Sequence, residues 1–424
     1  MSSAFSIALS SLQAESAAIN TTGNNLANMN TDGFKGSAVD FKDLFSESLG
    51  SGGNSYSSGL GVTLPVNNQL FTQGAVETSS APLSAAIQGN GFFVVNSPDN
   101  EQLFTRDGNF VQNAAGELQT ETGEAVQGWT AGADGISTSG APGNIILPSD
   151  AVLAPTPTQN FSFTANLDSQ ATAGVANTFA APMQVVDSLG NTHNLTVTFT
   201  QNAGTSTWNY AVTIPAGDLP PAVPAVPATT PEPVAGGSGT VTFNADGTLS
   251  TAGGTAPIVL TIPTLADGAS PMTMNWSIFD ANGNGLLTDY AQTSSLASST
   301  QDGNTPSELA SVGIQNGGQV VATYSNGKTK VEAQLAMAAI QNPTSLTNVG
   351  NNNLSVGADT ATPAIGVPES GGRGQILGGA VESSNVDMAT EFTNLIVYQS
   401  AYQASSRVIS TEQTLDQDLL QLIH

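Results

Sequence analysis

Cysteine is absent from the 424 residues, and histidine occurs only at 193 and 424. Without a thiol there is no disulfide framework, no thiolate zinc site and no cysteine nucleophile. Histidine-based catalysis is left with His193 as its one workable candidate. Basic side chains are scarce as well: 7 Lys and Arg stand against 33 Asp and Glu, for a formal charge of −26. Neutralising phosphates takes clustered cations, so no nucleic-acid partner is expected. Charged residues make up 9% of the chain, far below the ~25% of ordinary globular proteins, which leaves Ser, Thr, Asn and Gln to cover the surface. No apolar run reaches the ~18 residues of a span, so no membrane insertion is expected. The start lacks the basic residues and apolar stretch of a secretory signal. The chain is therefore expected to stay in the cytoplasm or to leave by a route that reads something else.

What is present is a β-rich body between two helical ends. The 45 Gly and 22 Pro, with many Thr and Val, fit short strands joined by turns. Phe5, Leu12, Ile19 and Leu26 recur at sevenfold spacing; near the other terminus Met388, Leu395, Tyr402 and Ile409 do the same, and Val408, Leu415 and Leu422 form a second row. Such rows line one face of a helix that wraps around another helix. The first helix, over ~3–28 and ~39 Å long at 1.5 Å per residue, is crowded with Ser, Thr and Asn and needs a partner to form. The second, over ~385–423, is the better helix former, with Asn385 as the expected N-cap and Asp387 near the positive end of the dipole. Two helices pairing alone leave Phe392, Ile396 and Leu420 uncovered, which favours assembly over an intramolecular hairpin that closes a monomer. The expected class is mainly β with paired N- and C-terminal α-helices: a terminal helical coiled-coil domain and two stacked β-domains.

Asn25-Leu26-Ala27-Asn28, followed by Asn30-Thr31-Asp32-Gly33-Phe34-Lys35, resembles the N-terminal signature of the bacterial flagellar rod and hook proteins. Glu382-Ser383-Ser384-Asn385-Val386-Asp387-Met388-Ala389 and then Glu391 to Ile396 resemble that family's C-terminal signature, continued by Gln399, Ala401 to Ala404 and Arg407. Asn28 to Gly33 is turn-forming and should end the first helix. Phe41 and Phe45, four apart, resemble the family's element read by the flagellar type III export apparatus; packing against the first β-domain is the equal alternative. Gly50 to Ser58 reads as a flexible connection.

In the body, Ile87 to Val95 joins an Asn90-Gly91 turn to an apolar run. Arg106, in Phe104 to Phe110, is expected to pair with Asp107 or a nearby acid. Val185 to Phe199 reads as a hairpin turning at Ser188-Leu189-Gly190-Asn191, and with Trp208-Asn209-Tyr210 it resembles the extra β-domain of hook proteins that short rod proteins lack. Prolines 220, 221, 224, 227, 231 and 233 suggest an extended loop over 219–236. The expected organisation is 1–45 with 380–424 for the helical domain, 46–160 with 300–379 for the inner β-domain, and 161–299 for the outer one.

Candidates for chemistry are weak. Asp280 to Gly285 begins like a calcium loop, but Ala291 stands where its closing Glu should be, so a turn is the better reading. His193 beside its hairpin turn has no sequence-local metal partners and reads as an exposed turn residue. No nucleophile elbow, phosphate loop or paired-carboxylate motif emerges, so neither an enzyme nor a cofactor is expected. The resemblance implies a subunit polymerising with copies of itself into the flagellar hook, the curved tube that couples rod to filament and transmits torque. It further implies a distal rod protein, a hook cap, a hook–filament junction protein and the export apparatus as partners, with a location in the flagellum outside the cell and export without a cleaved signal peptide. The alternative is a distal rod subunit, which shares both terminal signatures; the length and the region from Asp187 to Tyr210 argue against it.

Overall fold

The computed structural model describes residues 3–44, 47–49, 56–58, 61–132, 135–148, 152–170, 177–202, 205–221 and 227–422. The chain is mainly β, with helices α1 (Ser3–Ala27) and α2 (Met388–Leu422) near its ends. It divides into two compact units, the first formed by Met1–Ser149, Ala310–Thr323 and Lys328–His424, the second by Asp150–Leu309 and Tyr324–Gly327.

In the first unit α1 and α2 pack antiparallel. Ser11 meets Ser405 and Asn25 meets Glu391, so advancing along α1 retreats along α2 by as many residues. The face that α1 buries is not the large-residue row. Ala8, Ala14, Ala18, Thr21, Thr22 and Asn25 are buried, whereas Phe5, Leu12, Ile19 and Leu26 are half-buried. Small side chains let the helices approach closely, and the large ones flank that contact. On α2, Leu395 and Ile409 are half-buried, while Met388, Tyr402, Val408 and Leu415 are exposed. The side chain of Leu422 lies outside the described residues.

The N-cap expectation also needs correction. Asp387, not Asn385, caps α2: its Oδ1 accepts from the Thr390 amide at 2.7 Å, and that bond holds its carboxyl below the usual aspartate range.

The β-part of this unit is an antiparallel sheet whose central strands run in the order Gln319–Tyr324, Thr329–Leu335, Ala125–Gly132, Phe92–Asn96, Gln102–Thr105, Asn353–Ser355 and Thr347–Gly350. Phe93 and Val95 enter one core with Leu118, Ile145 and Met337; Phe92 and Val94 enter another with Phe104 and Trp129. Burial on both faces explains an uninterrupted apolar run where a half-exposed strand would alternate. Asn90-Gly91 closes no hairpin. The strand before it, Ala85–Gln88, pairs with Gln375–Gly378, and the strand after it pairs elsewhere. Of the stretch read as a flexible connection, 50–55 lies outside the described residues, whereas Tyr56–Ser58 is a strand paired with Glu47–Leu49.

The second unit is a sheet ordered Thr178–Val186, Thr192–Gln201, Thr207–Pro215, Pro231–Thr242, Ile258–Ile262, Met272–Ser277, Asn160–Asp168 and Leu287–Tyr290. The hairpin forms as expected, with Val186 opposite Thr192 and Gly190 at φ 92°. Alternate residues Leu195, Val197, Phe199 and Trp208, Tyr210, Val212 fill the core around Trp276, which stacks on Phe163 at 5.2 Å and meets Tyr210 edge-on at 5.2 Å. The proline-rich stretch is only partly a loop. Pro231 and Pro233 begin a strand, opposite Pro215 and Thr213. Proline is tolerated there because the strand on the other side, Ile258–Ile262, joins it only at Ala235. Residues 222–226 lie outside the described residues. Asp280 closes a turn, accepting from the Asn282 and Asn284 amides.

Candidate functional site at the paired termini

The two signatures meet around three buried charges. Gly33, after the turn that ends α1, has φ 70° and donates its amide to the Glu382 carbonyl at 2.6 Å. A Cβ at this position would lie 2.5 Å from the Asp107 nitrogen, so both backbone conformation and space require glycine. Two residues on, Lys35 Nζ donates to Glu382 Oε1 at 2.6 Å and to the Thr72 carbonyl at 2.8 Å. Arg106 takes the other carboxylate oxygen at 3.1 Å, donates to the Gly89 carbonyl at 2.8 Å and lies over the Phe92 ring. All three side chains are buried. Burial pushes the Lys35 ammonium and the Arg106 guanidinium down from their usual values, and Glu382 pushes back. Of the acids expected to pair with Arg106, Asp107 or one nearby, the partner is Glu382, distant in sequence but adjacent in the fold.

Asparagines extend the clamp. Asn25 accepts from the Ser37 amide at 2.9 Å and donates to the Ser37 carbonyl at 2.8 Å and to Glu391 at 3.0 Å, joining α1, the chain beyond the turn and the first turn of α2. Asn385 accepts from the Gly36 amide at 2.8 Å and donates to the Leu70 carbonyl and to Thr72. Val386 packs on Gly36, whose missing side chain makes room, and the Ser384 hydroxyl accepts from the Val386 amide. Phe34 is buried; Asn28 and Thr31 form the turn through the Thr31 amide and the Asn28 carbonyl, with Leu26 half-buried and Ala27 exposed. Phe41 sits partly exposed, its ring 6.0 Å from that of Tyr398 on α2, while Phe45 lies outside the described residues. Glu382, Arg106 and Glu391 were not singled out as site residues. The signal was there, since an arginine in so cation-poor a chain, two residues after the apolar Leu103-Phe104 pair of a strand, needs an acid partner.

Four stretches match flagellar families: residues 5–35 the flagella basal body rod protein, 86–165 the flagellar hook protein FlgE/F/G D1 domain, 147–304 the flagellar basal body protein FlaE D2 domain, and 377–422 the flagellar basal body rod FlgEFG protein C-terminal region. The flagellar hook protein FlgE of Rhizobium meliloti is 33% identical over 430 residues, covering 98% of this chain and 97% of that protein. The chain belongs to the flagellar hook protein FlgE family. The FlgE of Escherichia coli is 30% identical over 431 residues, covering 99% and 100% respectively. A crystal structure of the Helicobacter pylori flagellar hook protein FlgE2 aligns with 66% of this chain and 93% of its own, with a TM-score of 0.47 and 14% identity. In this FlgE-family chain the buried trio links three matched stretches: Lys35 ends the first, Arg106 lies in the D1 match and Glu382 in the C-terminal one. Its chemistry is that of a structural fastening.

Proposed function

We propose that this chain is the subunit of the flagellar hook, polymerising with copies of itself into a curved tube that couples rod to filament. The observation that carries this reading is the uncovered face of α2. Phe392 is 46% exposed, Ile396 64% and Leu420 66%, and Val397 is exposed as well. So many large apolar side chains on a single well-formed helix call for a partner, and identical neighbours supply one through repeated head-to-tail contacts that need not close. Met388, Tyr402 and Leu415 would join those contacts, while Leu395 and Ile409 face α1 in part. Full-length relatives named as hook proteins favour the hook over a distal rod subunit. At the ends of the tube the distal rod protein, the hook cap and the hook–filament junction protein are the proposed partners. Phe41 and Phe45 remain the proposed element for the export apparatus.

The test is electron microscopy of the purified chain under polymerising conditions beside a double variant, Phe392→Ser with Ile396→Ser. Curved hollow tubes from the unaltered chain, and monomers with unchanged thermal unfolding from the variant, are expected. Straight rigid tubes would move the assignment to the rod, and a variant that polymerises normally would remove α2 from the assembly.

A further inference from the structure

His193 is not the exposed turn residue its sequence context suggests. It is 7% exposed, at the start of the strand Thr192–Gln201, among three aspartates of the second unit. Its Nε2 lies 3.1 Å from Asp187 Oδ2 and 3.7 Å from Asp267 Oδ2; its Nδ1 faces Asp218 Oδ2 at 3.3 Å and makes no hydrogen bond. The acids come from separate places in the chain: the hairpin turn, the short helical turn Ala216–Asp218 and the turn before Met272–Ser277.

The two acids facing Nε2 are built alike. Asp187 Oδ1 accepts from the Leu189 and Asn191 amides, both at 2.8 Å, and Asp267 Oδ1 accepts from the Ala269 amide at 3.0 Å. Each carboxylate thus has one oxygen fixed by its own turn and presents the other towards the ring, that of Asp267 also accepting from the Asn191 side-chain amide at 2.8 Å. The donor atoms of Asp187, His193 and Asp267 all lie within 4.8 Å of one another. Tetrahedral zinc, with bonds of ~2.0–2.1 Å, spaces its ligands about 3.3 Å apart, between the two distances from Nε2. On the far side of the ring, a carboxylate facing the second nitrogen is the arrangement that fixes a metal-bound imidazole.

Charge points the same way. Even a protonated ring brings one positive charge to three carboxylates, and Asp187 is wholly buried. A carboxylate buried as Asp187 is costs stability unless a cation offsets it.

We propose that Asp187 Oδ2, His193 Nε2 and Asp267 Oδ2 bind one zinc-like divalent transition-metal cation, with Asp218 orienting the ring through Nδ1. Water completes the coordination, reaching it past Asp267, whose side chain is 27% exposed. The ion would staple the hairpin turn to the loop before Met272–Ser277 in a chain that has no disulfides.

The experiment uses the full-length chain, stripped with EDTA and titrated by calorimetry with ZnCl2, with MgCl2 and CaCl2 in parallel; Co2+ absorption then reports the coordination. One zinc per chain, a rise in unfolding temperature with zinc alone and visible Co2+ bands are expected. His193→Gln and Asp267→Asn should abolish binding, and Asp218→Asn should weaken it about 10–100-fold, with each variant's fold checked by near-UV circular dichroism. No zinc binding by the unaltered chain, binding that survives His193→Gln, or an equal response to Mg2+ or Ca2+ would each overturn the proposal. The last outcome would leave the imidazole without a role.

Discussion

Lys35 and Glu382, 347 positions apart in sequence, meet at 2.6 Å with both side chains buried. The contact closes the chain on itself: the residue that ends the N-terminal signature is fastened to the one that opens the C-terminal signature. Arg106 on the second carboxylate oxygen makes the fastening a three-way junction with the β-sheet.

Glu382→Ala leaves two buried cations without their acid. We expect it to destabilise the first unit by ~3–5 kcal/mol, the cost of breaking a buried pair from one side. Lys35→Met should cost less, because Arg106 still neutralises Glu382. Urea unfolding followed by circular dichroism at the helical band measures both; equal losses would mean that the carboxylate is not shared.

Asn25→Ala removes the two hydrogen bonds to Ser37 and the one to Glu391. The Ser37 amide then has no acceptor in a closely packed place, for a loss of ~1–3 kcal/mol. Hydrogen exchange resolved by residue should show the Ser37 amide losing protection and α1 fraying first at its C-terminal end.

Gly33→Ala meets both a positive φ and the Asp107 nitrogen. The left-handed conformation alone costs ~1–2 kcal/mol, and the backbone clash adds to it, since peptide atoms cannot swing aside. A thermal melt of the variant should fall by several degrees; an unchanged melt would mean that the turn has room to open.

Asp107 supplies the pH dependence. Burial, with the neighbouring acids Asp32, Glu121 and Glu124 adding to it, outweighs the Asn109 hydrogen bond and raises its carboxyl from 3.8 to about 6. The folded state therefore holds a proton that the unfolded chain releases between those values, so stability falls as pH rises from 3.8 to about 6 and then levels off. Asp107→Asn, which keeps the acceptor for the Asn109 amide, should remove that slope and add ~2–3 kcal/mol at neutral pH. Unfolding titrations of both proteins from about pH 3 to 8, spanning both values, read it directly.

What the sequence by itself determined is what local chemistry can carry. Apolar alternation in Leu195, Val197 and Phe199 and the glycine at 190 make a hairpin wherever they stand, and the clustered turn residues after Ala27 end α1. The paired signatures identify the family because their order and position survive without coordinates. Uncovered Phe392 and Ile396 were legible too, since α1 is too narrow to cover more than one face of α2, whereas Leu420 lies beyond the stretch of α2 that α1 faces. Only the tertiary structure decided which residues meet. A sevenfold row says that a helix has an apolar face; it does not say that Ala14 and Ala18 make the tight contact while Leu12 and Ile19 flank it, because close approach depends on both helices. Asn385 looked like a cap because its backbone neighbours were the only partners visible; its actual partners, Gly36, Leu70 and Thr72, are hundreds of residues away. The same holds for Arg106 and His193. A buried charge takes its meaning from the acid opposite it, and for Glu382, Asp218 and Asp267 that opposition is created by the fold.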